Sequence, residues 1–108
     1  MITTLVQFKL PEPITPEMAK EVFLSTAPKY AAVPGQLRKQ YLLSEDGRTA
    51  GGVYLWKSRK EAELLFTADW KKFIVEKYGS EPSISWFVTP VVVDSGSGKI
   101  ITAADHLD

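Results

Sequence analysis

The stretch Ala50-Gly51-Gly52-Val53-Tyr54-Leu55-Trp56-Lys57-Ser58 decides how this chain folds. Two adjacent glycines open it, and large apolar and aromatic residues then alternate faces as far as Trp56, which is the pattern of a β-strand. Asp46-Gly47 just before it reads as a two-residue hairpin turn. Just after it, Ser58 is placed to cap a helix over residues 59–66, a segment rich in Glu, Lys and Leu. The strand has one aromatic face, and its glycines leave space beside that face. Such a wall suits a small pocket for a flat organic molecule.

Counting outward from the hairpin sets the register with the preceding strand, residues 36–45. Glu45 faces Arg48, Leu43 faces Ala50, Tyr41 faces Gly52, Lys39 faces Tyr54, and Leu37 faces Trp56. Tyr41 opposite Gly52 is an aromatic-over-glycine pairing that shields exposed backbone. Lys39 is therefore set among Tyr41, Tyr54 and Trp56. The functional reading of this face is a pocket whose rings stack on an aromatic ligand. The plainer reading is core packing, with Lys39 snorkelling to the rim. The opposite face carries Arg38, Gln40, Leu42, Thr49, Gly51, Val53 and Leu55. Leu42, Val53 and Leu55 are too apolar to leave in water, so a second sheet is expected to pack there, which makes a homodimer.

The remaining segments complete the pattern. Ile2, Thr4, Val6, Phe8 and Leu10 alternate with Thr3, Leu5, Gln7 and Lys9, which predicts a first strand ended by Pro11 and Pro13. Thr15 and Pro16 read as the N-cap and first residue of a helix. Its buried stripe is expected at Met18, Val22, Phe23 and Ala27, with Pro28 kinking or ending it. Val33-Pro34-Gly35 is a turn. Thr67 is placed to cap a helix running to Tyr78 and stopped by Gly79, and a fourth strand is expected from Ser83 to about Val93. Strand, helix, strand, strand, helix, strand is the ferredoxin-like βαββαβ order, an α+β fold with one antiparallel sheet and helices on one face. Residues 1–94 form that domain. Residues 95–108 are a tail whose Ile100-Ile101 is expected to pair as an extra strand, beside the fourth strand or on a partner's sheet.

Composition narrows the function. Of 108 residues, 44% are apolar, and thirteen basic residues balance thirteen acidic ones, so no electrostatic footprint points to nucleic acid or an anionic membrane. There is no cysteine, and the single histidine, His106, lies in the tail, so neither thiolate chemistry nor a zinc site of the usual ligands is available. Gln7, Lys9, Glu12 and Pro13 interrupt the N-terminal region where a signal peptide needs an apolar run. No stretch approaches transmembrane length. The expectation is a soluble cytoplasmic protein with no membrane partner.

The strand–helix–Pro34-Gly35–strand order, followed by Gly51-Gly52-Val53-Tyr54-Leu55-Trp56-Lys57-Ser58 entering a helix, resembles the dimeric α+β-barrel proteins. Within them it is most similar to the YdhR-like branch of the antibiotic-biosynthesis-type monooxygenases. Lys29-Tyr30, Val33-Pro34-Gly35 and Pro90-Val91-Val92-Val93-Asp94 match the same branch. The resemblance implies a dimeric α+β barrel and oxygenation of hydroxylated aromatics, such as quinols and anthrones, by O₂ without metal or flavin. Relatives on this fold degrade haem. The family often carries a His on the helix after the third strand, but here that helix reads Glu61-Ala62-Glu63-Leu64-Leu65-Phe66. A haem ligand or His base thus lacks a candidate in the body of the domain.

Cofactor-free oxygenation needs a site that excludes water, holds the ring, and creates or stabilises the substrate anion. Lys39 is the candidate base or phenolate partner, and Tyr54 the candidate hydrogen-bond donor. Tyr41, Trp56, Trp70 and Arg38 are the candidate substrate contacts, with Trp70 closing the pocket. No cofactor is expected beyond O₂ as co-substrate. The partners expected are a second copy and a small aromatic ligand. A second reading stays open, in which the same pocket serves a non-catalytic small-molecule-binding or stress-response module.

Overall fold

The first strand, β1 (Ile2–Lys9), alternates as its sequence does: Thr4, Val6 and Phe8 are buried while Thr3, Leu5 and Gln7 lie on the other side. A computed structural model describes residues 1–102; His106 lies outside the described residues. After β1 come helices α1 (Pro16–Leu24) and α2 (Ala27–Ala31), strands β2 (Gln36–Leu43) and β3 (Thr49–Trp56), helices α3 (Arg59–Leu65) and α4 (Ala68–Tyr78), and strands β4 (Ser83–Val88), β5 (Val91–Asp94) and β6 (Lys99–Thr102). Four strands form one sheet in the order β2-β3-β1-β4, with every neighbouring pair antiparallel. This is the ferredoxin-like α+β arrangement. The core joins Val6, Phe8, Ala50, Tyr54 and Trp56 of the sheet to Ala19, Phe23, Tyr30, Ala62, Phe66, Trp70 and Ile74 of the helices.

Local chemistry sets the helix ends. Thr15 Oγ1 accepts from the Met18 N–H at 3.2 Å with Pro16 beside it, and Thr67 Oγ1 accepts from the Trp70 N–H at 3.2 Å. Gly79, at φ 90°, ends α4 in the left-handed conformation that glycine adopts freely. Pro28 acts differently from the kink expected of it. The first helix stops at Leu24, and Pro28 sits in the opening turn of α2, where its missing N–H costs nothing. The buried pair of α1 is Ala19 and Phe23, one residue out of phase with Met18, which is 50% exposed.

The β2–β3 register follows the count over most of its length: Leu43 pairs with Ala50, Tyr41 with Gly52, and Lys39 with Tyr54. The loop is longer than two residues. Ser44 pairs with Thr49 through a 2.8 Å backbone bond, and the Gly47 N–H closes onto the Ser44 carbonyl at 2.9 Å. Adding a residue to each side of a loop leaves the register unchanged, so the count survived. It fails at the far end, where a bulge between Gln36 and Arg38 puts Gln36 opposite Trp56 and leaves Leu37 42% exposed. Gly51 is required by backbone approach, because a Cβ there would lie 1.8 Å from the Val6 carbonyl oxygen.

The expected long fourth strand is broken at Thr89-Pro90, since proline cannot donate to a ladder. The distal part, β5, pairs with β6 of the tail as a separate hairpin, Val92 opposite Ile101 and Val93 opposite Ile100. Thr89 Oγ1 shares a hydrogen bond with Thr3 Oγ1 on the helix-free face of the main sheet. The Arg38 guanidinium on that face is near enough to help hold the Asp94 carboxyl below its usual range, after the hydrogen bonds from Ser97 and the local backbone. The Asp94 end of the hairpin thus lies toward the face that the sequence left uncovered. Among the described residues, no helix is long and apolar enough to cross a membrane.

Candidate active site

Strand alternation brings Lys39, Tyr41 and Tyr54 to the helix side of the sheet, and α2 supplies Tyr30 opposite them. The Lys39 Nζ lies 3.1 Å from the Tyr30 ring centroid, 3.9 Å from that of Tyr41 and 4.6 Å from that of Tyr54. Three ring faces with negative quadrupoles surround one nitrogen. The lysine reaches this position because Gly52 has no side chain. A Cβ there would meet Lys39 Cε at 3.3 Å and the Tyr54 ring at 3.2 Å. It is therefore Lys39 and Tyr54 that cover Gly52, while the Tyr41 ring leans away to stack on Phe23.

Each ring of the cage is held by a second group. The Tyr30 hydroxyl accepts from the Trp70 indole N–H at 2.9 Å. The Tyr41 hydroxyl shares a 2.7 Å hydrogen bond with Thr26 Oγ1, and its ring stacks on Phe23 at 4.5 Å and 18°. Tyr54 lies parallel to Trp56 at 5.7 Å and 7°, with the edge of Phe66 against both. The Trp56 indole donates to Thr4 Oγ1 at 2.9 Å, which satisfies two buried polar groups at once.

Electrostatics follow from the burial. Among the described residues no carboxylate pairs with Lys39; the ion pair found there, Arg59 with Glu63 at 2.9 Å, is exposed. Desolvation pushes the Lys39 ammonium down to about 7, and the Lys29 charge adds to the effect. The ring faces oppose it by attracting the cation. The amine and ammonium forms are thus close in free energy near neutrality. Burial raises Tyr54 well above the ordinary phenol range, with Tyr30 contributing, and raises Tyr30 and Tyr41 as well. These phenols stay protonated; Tyr30 accepts from Trp70, and the hydrogen bond between Tyr54 and Tyr30 holds the proton on Tyr54.

Two spaces lie on this side of the sheet, and the inner one adjoins the amine. An inner cavity of about 10 Å³, room for a single water, is lined by Lys39, Tyr30, Tyr54, Trp70 and Phe8. An outer groove of about 350 Å³ runs between α1 and β2 along Ala19, Leu24 and Leu43. Phe23 and Tyr41 line both, so this stacked pair is the partition.

The sequence-predicted residues divide accordingly. Lys39, Tyr41, Tyr54 and Trp70 meet at the cavity. Trp56 has no exposed surface and lies outside it, bracing Tyr54 from behind. Arg38 is exposed on the opposite face of the sheet, because neighbouring strand residues alternate, and does not line the cavity. Sequence reasoning missed Tyr30, Phe23 and Phe66. Phe23 carried a helical-stripe signal that read as core, and Tyr30 on its one-turn helix carried only the Lys29-Tyr30 likeness to the family, with no periodicity to place it at the site. Among the described residues, no three acidic or histidine side chains stand close enough to hold a metal ion.

A family model described as "Putative mono-oxygenase ydhR" matches residues 4–80. The fold is also found in solved structures. One is the monooxygenase from the gene ActVA-Orf6 of Streptomyces coelicolor, in complex with nanaomycin D, at TM-score 0.64 and 19% identity over 82% of this chain and 86% of that one. Another is SnoaB, a cofactor-independent oxygenase from Streptomyces nogalater, at TM-score 0.60 and 18% identity over 82% of this chain and 91% of that one. No curated protein matches the chain in sequence.

Proposed function

The chain belongs to the ydhR mono-oxygenase family, and we propose that it is a cofactor-independent monooxygenase of a small hydroxylated aromatic or polycyclic substrate. The observation that carries this reading is Lys39, a half-buried amine held by three tyrosine rings with no carboxylate partner among the described residues. Oxygenation without a cofactor requires the substrate itself to donate an electron to O₂, and a phenolate does so far more readily than a phenol. A substrate hydroxyl placed at Nζ gives its proton to the amine and is left as a phenolate paired with the ammonium. Tyr54, kept protonated by burial and hydrogen-bonded to Tyr30, would turn its proton to the same oxygen when substrate is bound. O₂ then places one oxygen atom on the ring carbon, and the other leaves as water with the two displaced hydrogens. The likeness to a cofactor-independent oxygenase supports the absence of metal or flavin in this scheme.

The experiment is oxygen uptake with a panel of hydroquinones and anthrones in metal-free buffer. Uptake stoichiometric with quinone formation is the expected result. Binding of the panel without uptake would replace the enzyme with a binding module of the same pocket. Tyr54→Phe refines the assignment. It removes one hydroxyl, is expected to cost about 1 kcal/mol of stability, and is expected to lower kcat with KM nearly unchanged. An unchanged kcat would remove the hydroxyl from the reaction.

The working unit of this proposal is a homodimer. The helix-free face carries Leu42 (37% exposed) and Phe87 (54%) beside the half-buried Leu5, Val53 and Leu55. The hairpin adds Val91, Val93 and Ile100, each more than half exposed. A second copy is the natural cover for this much apolar surface. Val53→Lys would place a charge in the desolvated centre of that interface. Light scattering at micromolar concentration is expected to show a dimer for the parent chain and a shift toward monomer for the variant. A monomeric parent would rule the assembly out.

A further inference from the structure

We propose that Lys39 is a nucleophilic lysine that condenses with aromatic aldehydes and ketones entering from the α1/β2 groove, forming a Schiff base inside the tyrosine cage. The inference goes beyond the oxygenase reading and stands whether or not that reading holds. Four observations carry it.

The nitrogen has no acidic partner to fix it as an ammonium among the described residues, whereas an exposed lysine is held protonated by water. Its stem passes over Gly52, with Cε 3.3 Å from where a Cβ would stand, so the nitrogen is presented at the end of a confined chain. The three ring faces that surround it accept a positive nitrogen without a counter-ion. That last property suits the reaction at both ends: the amine attacks as a neutral nucleophile, and the protonated imine that follows is again a cation seated against the same rings. Finally, the outer groove is mostly apolar, with Lys20 in its lining, and it shares the Phe23–Tyr41 pair with the cavity that holds the nitrogen. Tyr41 sits half-exposed on the edge strand β2, tied by the bond to Thr26 and the stack on Phe23. Outward rotation of that ring joins the groove to the cage and admits a flat carbonyl compound.

The step balances without an outside oxidant or reductant. The amine lone pair bonds to the carbonyl carbon, the carbonyl oxygen takes one proton from the nitrogen and one from solvent and leaves as water, and the nitrogen keeps its second hydrogen as the protonated C=N bond forms. Hydrolysis by the same route returns the free lysine. The site is therefore a reversible trap for carbonyl compounds.

The test is reductive capture on the full chain. The folded protein is incubated with 2-naphthaldehyde and sodium cyanoborohydride at about pH 7, and the modified lysines are located by peptide mass mapping. The expected result is one naphthylmethyl group per chain on Lys39, formed at least about tenfold faster than on exposed lysines, because a larger share of Lys39 is unprotonated. Lys39→Arg keeps a cation for the rings and cannot form an imine, so it is expected to lose the fast phase while the slow surface phase remains. Naphthalene, which has no carbonyl, is expected to slow capture at Lys39, and at Lys20 in the groove lining, but not at the other lysines, by occupying the groove. Labelling spread over exposed lysines with Lys39 unmodified would overturn the proposal, and that measurement needs no variant. A fast phase that persists in Lys39→Arg would also overturn it.

Discussion

Replacing Trp56 with alanine is expected to lower the unfolding free energy by about 3–5 kcal/mol. The indole has no exposed surface and touches three kinds of partner. Its face stacks on Tyr54 at 5.7 Å, its plane meets the edge of Phe66 at 5.7 Å, and its N–H donates to Thr4 Oγ1. Truncation leaves a cavity beside Tyr54 and Phe66 at the end of β3, and leaves the fully buried Thr4 hydroxyl without its donor. Domains of this kind are stable by only about 5–15 kcal/mol, so the variant should sit near the edge of folding. Urea unfolding of parent and variant measures the loss. Trp56→Phe separates the contributions, since it keeps a ring and removes the N–H, and is expected to lose clearly less. A loss under about 1 kcal/mol in Trp56→Ala would contradict the packing described, because core truncations of this size do not fall so low.

The same residue shows what the sequence could and could not say. Alternation along Gly52-Val53-Tyr54-Leu55-Trp56 identified a strand and put Tyr54 and Trp56 on one face, because a period of two needs no knowledge of the partner elements. It could not say which ring lies at the front of that face. Trp56 is paired with Ile2 and Gln36 near one end of the ladder, beneath α3, whereas Tyr54 is opposite Lys39 and faces the cavity. Depth of this sort is set by where the helices land. Tyr30 makes the point more strongly. It contributes the nearest ring to the Lys39 nitrogen, yet its position depends on α1 stopping at Leu24 and a new helix turning at Pro28. A proline inside an apolar helical pattern signals a break without its direction. The bulge at residues 36–38 and the break at Pro90 were likewise invisible to simple counting, which assumes one residue opposite one residue. By contrast, Lys39 was legible as the odd member of an aromatic face, since a charge among rings violates the pattern of a plain core.

Lys39→Met is expected to abolish most of the turnover while leaving the fold intact, and it tests the site through two unrelated readouts. The first is rate. If the amine takes the substrate's proton, its removal should lower kcat by roughly 10²–10⁴-fold, the usual contribution of a positioned acid–base group. Methionine matches the length and stem of the lysine and can lie across Gly52 in the same way, so substrate still finds its groove. The second readout is stability against pH and does not depend on catalysis. The Lys39 ammonium is depressed from 10.5 to about 7 by burial. Between those values the unfolded chain binds a proton there and the folded chain does not. Stability therefore rises with pH across that window, and the penalty is fully present below about pH 7. In Lys39→Met that rise should vanish, and the variant should be as stable as the parent or more so at neutral pH, because an apolar chain in the cage carries no desolvation cost. Denaturant melts between about pH 6 and 10 measure both slopes. Parallel curves for parent and variant would show that the nitrogen keeps its ordinary affinity for protons, and the proton-transfer role would fall with it. A lost slope with full turnover would leave the buried amine in place and remove it from the chemistry.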